Sequence, residues 1–272
     1  METFKEKEAM DVNSRYKKLD LTKIDGNANV FIVGDIHGRY SMLKNVLYHS
    51  GYEDERDYVF AVGDLIDRGD ENLQVVQFFT SHPRRFSVRG NHEDMMLDQF
   101  SREMWVQNGG YETLMELHNN FYDEEWLKDQ LRHLPYIIDV TTRKGEFRVV
   151  HAEIPCHITE KEFQKEVLMQ STHIWETLLW SRKNSVIFRD RQFLQDDDPR
   201  TNIVERMEGM MEEITNSLRN NHEVLCFCGH TPVRDPVILP NKINLDLGMK
   251  DMAIYNFTYN SVVRYSDNAD ET

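Results

Sequence analysis

Cysteine is scarce in this chain: three residues among 272, with no paired spacing. That excludes a disulfide framework and fits a reducing compartment. Cys226 and Cys228 flank Phe227 in an apolar run, so a strand there puts both thiols on one face as small core residues. Long hydrophobic runs are missing as well, and nothing approaches the length of a membrane span. The opening METFKEKEAMDVNSRYKKLD mixes both signs of charge around no apolar segment, so it reads as neither secretion signal nor anchor. Positive charge is in deficit: 32 Lys and Arg stand against 47 Asp and Glu, a net charge of −15. Such a field repels phosphate backbones and anionic lipid, so neither nucleic acid nor a membrane is an expected partner. An anionic substrate would need a local positive cluster. Repeats and low-complexity tracts are also lacking, and the expectation is a cytoplasmic protein.

What is present is a recurring pattern. The stretch Phe31-Ile-Val-Gly-Asp-Ile-His-Gly-Arg-Tyr40 begins as a buried strand and breaks at Gly34 into Asp35 and His37. Tyr58–Val62 runs into Gly63-Asp64-Leu-Ile-Asp67-Arg68-Gly69, and Arg85–Val88 into Arg89-Gly90-Asn91-His92-Glu93. Phe147–Val150 ends in His151-Ala152-Glu153, and Val224–Cys228 in Gly229-His230-Thr231. Helix-like segments lie between, at Tyr40–Ser50, Glu71–Ser81, Asn91–Phe100 and Glu124–His133. Strand–loop–helix alternation predicts an α/β architecture whose site forms at the carboxyl ends of the strands. Singly, each polar residue has a plainer reading: Asp as a turn or cap, His as a satisfied core residue, Asn91 as a helix N-cap. Five at strand ends, mostly beside glycine, are not caps. His49, His82, His118, His133, His173 and His222 lack that setting and receive no role; His157 stays unassigned.

GDIHG, GDLIDRG, RGNHE, HA and GHT, in that order, resemble the metallophosphoesterase superfamily. Asp67-Arg68-Gly69 narrows this to the phosphoprotein-phosphatase type, and HAE is most similar to the bacterial and bacteriophage lambda serine/threonine protein phosphatases. Many relatives have His-Ala-Gly at that point instead. The resemblance covers about residues 28–250 and implies a calcineurin-like α/β sandwich of two mixed β-sheets flanked by helices.

It also implies two divalent ions sharing one hydroxide. Asp35, His37 and Asp64 would hold the first; Asp64, Asn91, His151 and His230 the second. Carboxylate, imidazole and amide oxygen suit Mn²⁺, with Fe²⁺ or Zn²⁺ as alternatives in vivo, and the absence of thiolate argues against a structural zinc site. His92 would protonate the leaving group, held by Asp67, whose plainer reading is a salt bridge to Arg68. Arg68, Arg89 and Arg182 would clamp the phosphoryl oxygens.

The expected activity is hydrolysis of phosphate monoesters, with phosphoserine or phosphothreonine in a protein or peptide as substrate, in a bacterial or phage-infected cytoplasm. The rivals are a hydrolase of dinucleoside polyphosphates or of RNA-end or cyclic phosphates, and a non-catalytic phosphoprotein-binding module. Residues 1–27 are expected to be a helical or loosely ordered lead-in, 28–265 one domain, and 266–272 a disordered tail. An insertion at about 191–220 carries a Met-rich helix, read as a core element or as a lid or docking surface.

Overall fold

The apolar runs become strands because each has a covered surface on both sides. The computed structural model describes residues 15–24, 26–194 and 201–266. One sheet has six strands in the order β1 (Tyr16–Asp20), β5 (Ile137–Thr142), β6 (Gly145–Val149), β7 (Leu225–Cys228), β9 (Lys242–Asn244) and β8 (Val237–Leu239). The other has five, ordered β11 (Ser261–Ser266), β10 (Asp251–Asn256), β2 (Val30–Val33), β3 (Tyr58–Ala61) and β4 (Arg85–Ser87). Both are mixed: β2, β3 and β4 run parallel while β10 lies antiparallel to β2, and β6, β7 and β9 run parallel while β5 opposes β6.

Period-two alternation divides each strand between two cores. Val30, Ile32, Phe60, Phe147, Phe227 and Tyr255 fill the space between the sheets. Phe31, Val33, Val59 and Ala61 face outward against α1 (Tyr40–His49) and α2 (Asn72–Thr80). On the far side Ile137, Cys226 and Cys228 meet α7 (Glu160–Leu168), α8 (Thr172–Trp180) and α9 (Ser185–Gln192). Phe227 and its flanking cysteines thus point in opposite directions, as expected, and burial pushes the Cys228 thiol up to about 12. The remaining helices are α3 (Asn91–Leu97), α4 (Arg102–Trp105), α5 (Tyr111–Asn119), α6 (Glu124–Arg132) and α10 (Thr201–Asn221), with a π-helical turn at Val106–Gly110. Among the described residues no helix is long and apolar enough to cross a membrane.

One expectation changes. Residues 16–20, expected in a helical or loose lead-in, form β1, parallel to β5 with Tyr16 opposite Ile137. Its partner lies over a hundred residues away, so no local pattern announces the pairing. The Tyr16 hydroxyl donates to Asp139 at 2.6 Å, and the Lys17 ammonium sits over the Phe86 ring. Residues 1–14 lie outside the described residues. So do 267–272, nearly all of the tail expected to be disordered, and residues 195–200 of the insertion.

The Met-rich segment is α10, and its buried positions Val204, Ile214 and Leu218 recur at helical spacing with Met211 beside them. Ile214, Leu218 and Met211 pack into the core under α7–α9, so this helix is a core element, which disfavours its reading as a detachable lid. Leu218 is 1% exposed; Leu218→Ala is expected to cost about 2–5 kcal/mol of stability, read as a lower urea midpoint. A midpoint equal to wild type would place the helix outside the folded core.

Candidate metal centre

Every strand that enters this site ends in a turn that aims a polar side chain across the gap between the sheets. β2 delivers Asp35 and His37, β3 delivers Asp64, and β4 leads into Asn91 and His92 at the start of α3. From the other sheet β6 delivers His151 and β7 delivers His230. All seven are almost fully buried. His37, Asp64, Asp67, Arg68 and His230 have positive φ, between 49° and 77°. A non-glycine residue held there costs of order 1–3 kcal/mol, and such strain clusters at functional sites. Glycine is required where backbone meets ligand: a Cβ on Gly90 would overlap the Asp64 carboxylate.

The imidazoles are oriented by carbonyls. His37 Nδ1 donates to Ile66 at 3.0 Å, His151 Nδ1 to Val62 at 2.9 Å, and His230 Nε2 to the Trp180 carbonyl at 3.2 Å. A carbonyl only accepts, so the opposite ring nitrogen of each carries the lone pair. Burial pushes His37 and His151 below the ordinary imidazole value, and His230 to about 2. Neutral imidazole with its other N–H engaged is the metal-ligand form.

The lone pairs converge. His151 Nε2 and His230 Nδ1 are 3.2 Å apart, and each lies 2.8 Å from Asn91 Oδ1. Asp64 Oδ1 is 3.4 Å from His151 Nε2. Acceptors facing acceptors at these separations repel unless a cation sits among them, and Asp64, His151 and His230 lie close enough together to share one ion. Asn91 completes that set. A second grouping joins His37, Asp64 and His92. Divalent metal therefore fits the residues present. The Asp35 carboxylate, the remaining ligand expected beside His37 and Asp64, accepts the backbone N–H of His230 at 3.1 Å, one contact among the several that a carboxylate can accept. The left-handed backbone of His230 aims that amide at it.

Asp67 faces His92, not Arg68. Its carboxylate accepts from His92 Nδ1 at 2.7 Å, from the Trp105 indole at 2.8 Å and from the Thr113 hydroxyl at 2.7 Å. Burial raises Asp67, and its contacts to His92, Trp105 and Thr113 pull the other way, toward the carboxylate. Burial also pulls His92 down; the charges of Asp64 and Asp67 outweigh it and leave His92 raised. Arg68 spans the two rings, one guanidinium nitrogen 2.7 Å from His37 Nε2 and another 2.9 Å from His92 Nε2. Its backbone N–H donates to Gly109 in the π-helical turn at 3.0 Å. Arg182, in the loop after α8, is within electrostatic reach of Asp246, Asp35 and Asp64.

Arg89 does not join them. It donates to the Tyr136 hydroxyl at 3.0 Å and the Arg132 carbonyl at 2.8 Å, because its backbone is tied to Pro135 on that side. This expected clamp is thus turned toward the end of α6.

Several residues of the site had no role assigned from sequence. Glu93 accepts four backbone N–H groups, from Gly90, Asp64, Leu65 and Ile66, at 2.7–3.2 Å; its place three residues after the helix N-cap was a usable signal. Asp246, 3% exposed, ends the β9 segment beside a glycine two residues on, the same pattern as the other strand ends. Burial pushes its carboxyl up to about 6. Trp105 and Thr113 carried no local signal.

Two mixed sheets whose ends gather imidazoles and carboxylates around cation positions define a metallophosphoesterase. Residues 28–234 match the family described as calcineurin-like phosphoesterase, and the chain belongs to it. Serine/threonine-protein phosphatase 2 of Escherichia coli (strain K12) is 33% identical over 167 residues, 60% of this chain and 73% of that protein. The symmetrical bis(5'-nucleosyl)-tetraphosphatase of Pasteurella multocida is 29% identical over 125 residues, 46% of this chain and 44% of that protein. A serine/threonine phosphatase structure from Saccharomyces cerevisiae shares the fold with a TM-score of 0.57 at 14% identity, covering 96% of this chain and 86% of that one.

Asp64 reaches toward both ligand groupings. Asp64→Asn, which removes the charge and keeps the shape, is expected to leave the purified protein with less than about a tenth of the wild-type metal after gel filtration. Equal metal by elemental analysis would exclude Asp64 as a ligand.

Proposed function

We propose that this protein is a metal-dependent phosphomonoesterase that removes phosphate from phosphoserine or phosphothreonine in proteins. The observation that carries the reading is the Asp67–His92 pair, buried against the cation positions and braced by Trp105 and Thr113. A seryl or threonyl alkoxide is a strong base and leaves poorly without a proton. A phosphate leaving group from a dinucleoside tetraphosphate is a far weaker base and gains less from an acid. A dedicated proton donor therefore favours an alkyl ester. Relatives named as serine/threonine-protein phosphatases support the same choice.

Two divalent ions bound by Asp35, His37, Asp64, Asn91, His151 and His230, with Mn²⁺ our choice, would supply Lewis acidity and a nucleophile at neutral pH. The chain's own groups do the rest. His92 gives its proton to the departing oxygen, and Asp67 holds the ring with Nδ1 protonated and balances its charge. Arg68, bridging His37 and His92, offers its guanidinium to the phosphoryl oxygens, and Arg182, within electrostatic reach of Asp35 and Asp64, joins it.

The tetraphosphatase relatives favour a second reading, hydrolysis of dinucleoside polyphosphates. With Mn²⁺ present, a phosphoserine peptide is expected to give a higher kcat/KM than a symmetrical dinucleoside tetraphosphate or a cyclic nucleotide; the reverse ranking overturns the protein-phosphatase reading. His92→Asn should retain metal and lower turnover of an alkyl phosphate by ~10²–10⁴-fold. Para-nitrophenyl phosphate, with its better leaving group, should lose much less. Equal losses on both would remove His92 as the proton donor.

A further inference from the structure

Beside the metal centre lies an open cavity of about 390 Å³. Its wall on the inner side is the segment Trp180-Ser181-Arg182, whose first carbonyl takes the ring Nε2–H of His230. Another rim is Cys156-His157, and α8 contributes His173 and Glu176. Among the described residues its charged lining is Arg182, Lys183 and Glu176, with the imidazoles of His157 and His173. In a chain of net charge −15, a cationic cavity sharing a wall with the centre runs against the overall field.

The cavity is built, not incidental. Beneath it the Glu153 side chain, 1% exposed, accepts from the Ser181 hydroxyl at 2.8 Å, Asn184 N–H at 3.1 Å and Ser185 N–H at 2.6 Å. The buried Lys242 ammonium lies 3.5 Å from the same carboxylate and donates to Ser185 Oγ at 2.8 Å. The other rim is tied to α10 by Asn221, which donates to the Cys156 carbonyl at 2.8 Å. Glu153 is the acid of His-Ala-Glu, and that glutamate holds the cavity's inner wall. A fixed pair of rims sets the backbone that carries Arg182 and Lys183 before anything binds.

We infer that this cavity is a subsite for an anionic residue flanking the phosphorylated one, so that the enzyme selects acidic stretches of its protein substrates. The inference rests on the protein-phosphatase reading and names its substrate class. The exposed Trp180 ring, 39% accessible, gives the peptide an apolar surface between phosphate and flanking acid. The attraction is electrostatic and open to water, so it should weaken as salt rises.

The test uses competition, so it does not depend on peptide turnover. Non-hydrolysable phosphonate peptides, one flanked by Glu and one by Ala, compete against para-nitrophenyl phosphate hydrolysed by the Mn²⁺-loaded protein. The Glu-flanked peptide should inhibit about tenfold more tightly at low salt. Lys183→Glu should abolish that preference and Glu176→Lys should enlarge it, both with near wild-type hydrolysis of para-nitrophenyl phosphate. Loss of structural integrity could not move the two variants in opposite directions. Equal inhibition by both peptides, no inhibition by either, or a preference unchanged in both variants overturns the subsite. Tripolyphosphate competing in a Lys183-dependent manner while the peptides compete equally would assign the cavity to a polyphosphate chain and overturn the peptide inference. Failure of the protein-phosphatase reading is read separately, from the ranking of phosphopeptide and tetraphosphate turnover.

Discussion

Four backbone N–H groups, from Gly90, Asp64, Leu65 and Ile66, point at the one carboxylate of Glu93. The turn after β3 and the start of α3 are thereby fastened together, and the principal residues between them, Asp64, Asp67, Arg68, Asn91 and His92, inherit their positions from that knot. Asp64 sits at φ 49°, a conformation that costs of order 1–3 kcal/mol. Even at about 0.5–1.5 kcal/mol each, the four hydrogen bonds gathered by Glu93 together outweigh the strain of that turn. Remove the carboxylate and the amides would be buried without partners. The ligand geometry therefore depends on a residue that touches neither metal nor substrate.

The same knot is electrostatically loaded. Burial, and then the neighbouring Asp64 charge, push Glu93 up to about 7. Asp35 is raised for the related reason that burial and the charges of Asp246 and Asp64 surround it. A cation placed among these carboxylates relieves all of them together, so metal affinity and local folding are linked. Arg68 supplies positive charge from within the fold, laid across His37 and His92. Its left-handed backbone and the carbonyl of Gly109, itself at φ 109°, fix it there. The π-helical turn is thus part of the site's frame, joining Arg68 to Trp105 and Thr113, which brace Asp67.

Asp67 shows how a motif gains its meaning from geometry. In sequence Asp67-Arg68 reads equally well as a neighbouring ion pair. In the fold both residues have positive φ, which sends the carboxylate down to His92 and the guanidinium up to the two rings. The buried contact between Asp67 and His92 follows from that divergence.

The sequence by itself determined the chemistry at the strand ends. A polar residue placed one or two positions after an apolar strand, usually next to glycine, must emerge where the backbone turns, and parallel strands bring those turns to one side. Hence His37, Asp64, Asn91, His151 and His230 were legible, as were β2, β3, β4, β6 and β7, whose periodicity is a property of adjacent residues. Only the tertiary structure decided which direction each side chain took once several partners competed for it. Arg89 went to Tyr136 because Pro135 anchors its backbone there; Asp35 turned to the His230 amide; β1 found β5; Glu153 and Lys242 met beneath the Trp180–Ser185 loop. Each of these contacts joins residues far apart in the chain through burial and hydrogen bonding, and neither leaves a period or a spacing behind in the sequence.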